Sequence, residues 1–127
     1  MNQTGLFIAA RILIPIVFVG LGLERLLVAG GLVAGPQVTA GAAVFSAFEL
    51  AAGLAVMVGW KVRWVAGVLA AFIVVDAFLA HPFWTYAPAE RHGQLLHFLK
   101  NFATLGGLLA LIWADLALAK PGGGARA

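Results

Sequence analysis

The sequence predicts an all-α integral membrane protein, a four-helix bundle of up-down topology with both termini cytoplasmic. Two observations predict the class. Hydrophobic residues make up 63% of the chain and charged residues only 10%, with a mean hydropathy of +1.02, whereas soluble domains carry about 25% charged residues. The apolar residues are also gathered into runs close to the roughly 20 residues that a helix needs to cross the hydrocarbon of a bilayer. A length of 127 residues accommodates four such spans with short connections and no soluble domain. Cysteine is absent, which excludes disulfides, thiolate metal sites and CxxC redox pairs. The net charge of +3 is read as a topology signal, not as an affinity for nucleic acid.

The first span is expected over residues 5–27. It begins like a signal peptide, but Arg11 lies inside the apolar run and no basic segment precedes it, so it reads as a retained helix. Gly20 and Gly22 are small enough to allow close helix approach. Glycines and Pro36 mark the stretch that follows as a loop. The second span is expected over 39–58. Its junction with the third, Gly59-Trp60-Lys61-Val62-Arg63-Trp64, sets two cations between two tryptophans, the composition of a membrane surface. The third span, 64–80, is stopped by His81-Pro82, because the residue before a proline disfavours helix. The polar and aromatic stretch 81–94 reads as a loop at an interface, and the fourth span as 95–118. Residues 1–120 thus form a single four-helix transmembrane domain, followed by a flexible tail at 121–127.

Charge asymmetry orients the spans. Lys61, Arg63, Lys120 and Arg126, with Arg11 near them, fall on one side. Arg25 and Arg91, offset by Glu24 and Glu90, fall on the other with Lys100 near them. The positive-inside rule makes the first side cytoplasmic.

Glu49 is the most demanding residue. It sits near the middle of the second span with no basic residue within ten positions on either side. A charge at that depth costs roughly 2.5 kcal/mol or more unless it is protonated, paired or wetted. It is therefore the candidate catalytic or proton-handling group, against the simpler reading of a protonated acid that holds helices together. At a rise of about 1.5 Å per residue, Asp76, Lys100 and Asn101 fall in the outer half. Glu24, Arg25 and the histidines 81, 92 and 97 fall at or above its edge. His97, Lys100, Asn101, Thr104 and Gly107 share one helical stripe; Phe45, Glu49, Gly53 and Val56 make another on the second span. Lys100 and Asp76 read as an ion pair, as charges snorkelling to the interface, or as ligand contacts. Arg11 and Asp115, both in the cytoplasmic halves of spans that neighbour each other in an up-down bundle, read as a structural ion pair. No metal site is expected: His92 and His97 are five residues apart and so lie off a common helical face.

These residues resemble the DoxX family of small bacterial four-helix membrane proteins. The resemblance is carried by Arg11 and then Phe18-Val-Gly20 in the first span, and by Phe48-Glu49-Leu50-Ala-Ala-Gly53 continuing to Gly59 in the second. It continues with His81-Pro-Phe-Trp84, and with Leu99-Lys100-Asn101 and Leu105-Gly106-Gly107-Leu108 in the fourth. It covers nearly the whole chain. It implies a multi-pass protein of the bacterial inner membrane, linked to quinone-dependent redox biology as a subunit beside a membrane oxidoreductase. On that basis the expected ligand is a hydrophobic one with an oxygen-bearing head group, a quinone, held in the outer half of the bundle. Lys100, Asn101 and His81 would hydrogen-bond its oxygens, Asp76 would line the site, Phe83 and Trp84 would cap it by stacking, and Glu49 would handle protons. The expected partners are the lipid bilayer and other membrane subunits or further copies of the chain. Two alternatives stand beside this reading: a non-catalytic assembly subunit, and a small weak-acid or proton transporter acting as an oligomer. The chain has no cofactor-attachment motif, and whether it is itself an enzyme is left open by its sequence.

Overall fold

A computed structural model of the chain describes residues 2–120; the expected tail at 121–127 lies outside the described residues. The described residues contain helices and no strand: α1 (Gln3–Leu13), α2 (Ile16–Ala29), α3 (Ala40–Val58), α4 (Val62–Ala80), a 3₁₀ turn (Phe83–Thr85) and α5 (Pro88–Leu118). Four segments are long and apolar enough to cross a membrane: Gln3–Ala29, Ala40–Val58, Val62–Thr85 and Pro88–Leu118. The chain has the build of a multi-pass, all-α membrane protein.

Three departures from expectation each have a backbone reason. The first span is not one uninterrupted helix. It breaks between α1 and α2 at Pro15, which has no N–H to donate and whose ring crowds the preceding turn. Hydrogen bonds on either side of the break, Ile14 N to Ala10 O at 3.0 Å and Val19 N to Pro15 O at 3.1 Å, carry the helix past it. The third span begins at Val62 instead of 64, because Lys61 takes a left-handed backbone (φ 43°) and its carbonyl accepts from Trp64 and Val65. The fourth begins at Pro88, seven residues before the expected 95. Proline in the first turn is pre-set for helix and lacks only a donor that would be orphaned there. The loop between the last two spans shrinks accordingly, and His92 becomes helical.

Other ends follow their local chemistry. The side chains of Asn2 and Thr39 cap α1 and α3 by accepting from Gly5 N at 2.8 Å and Ala42 N at 3.2 Å. α3 ends at Gly59, whose φ of +88° suits glycine. Gly59 N donates to Val56 O and Trp60 N to Ala55 O, the paired bonds of a Schellman stop.

The chain divides into two compact units, Met1–Val65 and Ala66–Ala127. In the first, α2 packs closely on α3 through glycines. A Cβ on Gly22 would stand 2.8 Å from Ser46 O and 3.0 Å from Leu50 N, and one on Gly53 would stand 2.8 Å from Val19 Cγ2. Phe18, Ala52 and Val56 are buried beside this seam. Such contact is what holds helices together where lipid supplies no hydrophobic drive. In the second unit, Ala66, Leu69, Ala70, Ile73 and Ala77 form a buried stripe at helical spacing on α4, and Leu108 and Leu111 are buried on α5. Large apolar side chains such as Leu13, Val44, Leu79 and Trp113 are exposed, as expected where the solvent is lipid.

Candidate functional site

The polar residues gather in two places, one in each unit. In the first unit, the abutment of Gly22 on Ser46 and Leu50 sets the register of α2 against α3 and brings Glu49 level with a point about one turn inward of Arg25. Arg25 was expected at the outer edge beside Glu24. Instead its side chain turns inward, and its Nη1 donates to Glu49 Oε2 at 3.3 Å. Glu49 is 7% exposed, while the Arg25 side chain is half exposed. The arginine stem thus spans from the wet end of α2 to the acid, as long cationic side chains do near membrane surfaces. Ser46, one turn before Glu49, is fully buried, and its Oγ has no hydrogen-bond partner among the described residues.

Arg11 lies lower in the same unit. Its guanidinium rests against Gly59 at the carboxyl end of α3 and lies 5.9 Å from the centre of the Phe7 ring. Cations are favoured at a helix carboxyl end, where carbonyl groups lack helical partners. Asp115, its expected partner, is half-buried near the end of α5 and belongs to the second unit.

The second unit holds all six expected ligand residues: Asp76, Asn101 and His81 come together, Phe83 and Trp84 meet each other, and Lys100 stands apart. Asn101 Nδ2 donates to Asp76 Oδ2 at 2.9 Å. His81 Nε2 lies 3.8 Å from the same carboxylate oxygen, and His81 Nδ1 donates to Gln94 Oε1 at 2.8 Å. The rings of His81 and His97 stack with centroids 5.0 Å apart. Asp76 therefore pairs with Asn101, not with Lys100. Lys100 is one residue, or about 100°, round the helix; it is exposed and makes no ion pair with the described residues of its unit. With Nδ1–H committed to Gln94, His81 turns Nε2 toward Asp76, so a proton taken up at Nε2 would create a charged pair.

The same elements, α4, the 3₁₀ turn and α5, also carry a set of packed aromatic rings. Phe83 meets Trp84 at 5.1 Å and Phe98 at 5.3 Å, both steeply tilted. Phe98 also meets Phe78 at 5.4 Å, edge to face, and Phe102 at 5.0 Å. Such contacts add to area burial and keep the rings in fixed relative orientation. Phe83 and Trp84 are held by the 3₁₀ turn, in which Thr85 Oγ1 donates to Pro82 O at 2.8 Å.

Residues to which the sequence assigned no site role now take part: Arg25, Gln94, Phe78, Phe98 and Phe102. Gln94, His97 and Asn101 are three and four residues apart, so their shared face was legible once α5 is known to start at Pro88. Phe98 and Phe102 show the same spacing. Arg25 carries no such signal. Among the described residues, no group of three or more His, Cys, Asp or Glu is placed to hold a metal ion. Comparison with protein-family models, with curated proteins and with solved structures matches nothing to this chain.

Proposed function

We propose that the chain is a DoxX-like, multi-pass subunit of a bacterial inner membrane, an up-down bundle with cytoplasmic termini. It would accompany a quinone-linked oxidoreductase and bind a hydrophobic ligand with an oxygen-bearing ring. The observation that carries this reading is that α4, the 3₁₀ turn and α5 supply both a polar group, Asp76 with Asn101 and His81 with Gln94, and a set of packed rings, Phe83, Trp84 and Phe98. Hydrogen-bonding groups beside stacking rings are the two features a quinone head group needs, since its carbonyl oxygens accept and its ring stacks. His81 and Asp76 form a pair that could hold a proton and pass it to a ligand oxygen, and reduction of a quinone consumes protons. Lys100, exposed on the same helix, is a further donor for the ligand, and Glu49 remains the intramembrane proton-handling group of the proposal.

The test is to extract lipids from the purified chain and to titrate it with a short-chain quinone while following Trp84 fluorescence. Co-purifying quinone is expected, with quenching that weakens about tenfold in Asn101→Leu and His81→Ala, the loss of about one hydrogen bond. No bound quinone, or quenching unchanged in both variants, discards the reading.

A second reading, a non-catalytic assembly subunit, is favoured by one observation: Glu49 is already engaged by Arg25 beside a glycine seam. On that reading Glu49→Gln, which keeps an acceptor for Arg25, leaves every partner interaction intact. A chain that stays monomeric in mild detergent, with no co-purifying subunit, counts against it.

A further inference from the structure

We propose that the first unit holds a second, separate site: a pocket for a zwitterionic phospholipid head group bearing a primary ammonium, of the phosphoethanolamine kind. A hollow of about 370 Å³ opens where α2 ends and α3 begins. Its polar lining is Glu24, Arg25 and Gln37, and its apolar lining includes Val28, Val38 and Ala42. The volume lies within the range of small-molecule sites, about 300–1,000 Å³.

The charges of this lining select the ligand. Glu24 and Arg25 are adjacent in sequence and both face the hollow, so it presents one anion and one cation side by side. An anionic ligand would meet Arg25 but be repelled by Glu24; a cationic ligand would meet the reverse. A molecule carrying both charges satisfies both. Glu24 is exposed and has no ion pair among the described residues of its unit, so its carboxylate is available to an ammonium. Arg25 uses Nη1 on Glu49, which leaves the other edge of its planar fork for phosphate. Gln37 supplies both a donor and an acceptor. A primary ammonium has N–H groups that a carboxylate can accept, which a quaternary one lacks.

Depth selects the source. Ala42 is in the first turn of α3 and Glu24 within two turns of the end of α2, so the hollow sits at the level where a span leaves the hydrocarbon. Lipid head groups occupy that level, and the apolar lining suits the glycerol and first acyl carbons. Because Arg25 is shared, the head group at this site and the buried Glu49 are bound by the same guanidinium.

The experiment is a lipid titration of the full chain in detergent, read by native mass spectrometry. Phosphatidylethanolamine is compared with phosphatidylglycerol and phosphatidylcholine. The expected result is retention of phosphatidylethanolamine about tenfold above either competitor. Glu24→Gln, at an exposed position, should remove that preference, and Ala42→Phe, which fills the hollow without touching the Arg25–Glu49 pair, should lower its retention. Equal retention of the three lipids, or a preference that survives Glu24→Gln, overturns the site. Free phosphoethanolamine separates the sources: failure to displace the lipid supports a lipid site, and displacement at matching affinity overturns the lipid assignment in favour of a soluble zwitterion.

Discussion

Glu49 in the first unit is met by a guanidinium from another helix, whereas Asp76 in the second is met by an amide and an imidazole. The difference follows depth and exposure. The Glu49 side chain is 9% exposed and lies about ten residues into α3. There a full countercharge is the effective way to keep a carboxylate ionised, and Arg25 reaches it while keeping half its own side chain in a wetter place. The Asp76 side chain is 33% exposed and lies near the end of α4. Neutral donors are sufficient there, and a neighbour that can gain or lose a proton is tolerated. The deep pair fastens α2 to α3 around the proposed proton-handling group, and the shallow cluster is the more open site of the two.

Substitutions at the supports of each region break or sharpen this contrast. The largest effect is expected at the seam that sets the register of Arg25 and Glu49. Gly22→Val drives a side chain into the α3 backbone at Ser46 and Leu50; overpacking of this kind costs about 3 kcal/mol or more. The reading is loss of the thermal transition in detergent, with Arg25–Glu49 coupling lost alongside it.

Arg25→Ala comes next, at about 2–3 kcal/mol, because the carboxylate keeps its burial and loses its charged donor. A double-mutant cycle with Glu49→Leu separates fastening from site: the double variant should be more stable than Arg25→Ala alone. If the two losses simply add, Glu49 does not depend on Arg25.

Asp76→Ala should be milder, about 1–2 kcal/mol, since Asn101 and His81 are partly exposed and water can replace the lost acceptor.

The smallest effect is expected at Gly20→Ala. Nothing lies within 4 Å of a Cβ built there, so the change should be no worse than a few tenths of a kcal/mol and helix propensity favours alanine. A large loss at Gly20 would mean that close packing is not what distinguishes Gly22.

Much of the architecture was legible because membrane spans are announced locally. Apolar run length marks the four spans, Gly59 marks the end of α3, and His81-Pro82 marks the end of α4. Continuity of apolar residues does not register the break at Pro15, because hydropathy is blind to a missing N–H. The polar and aromatic character of 81–94 concealed a helix start, because seven residues of interfacial composition suit a loop as well as a first turn led by Pro88. At the sites, the spacing of His97 and Asn101 was readable along one helix. The bond from Asn101 to Asp76 spans 25 residues, and that from Arg25 to Glu49 spans 24.

Taken alone, the amino-acid order determined that this chain is helical, that it has four segments fit to cross a bilayer, and that Glu49 needs an answer at depth. Those properties depend on composition and on spacing within one helix. Only the tertiary structure decided that the answer is Arg25, that Asp76 belongs with Asn101 and His81 instead of Lys100, and that Phe98 joins Phe83 and Trp84. Partners on different helices are chosen by register and by the close approach that residues such as Gly22 permit, and neither is written in the periodicity of a single segment.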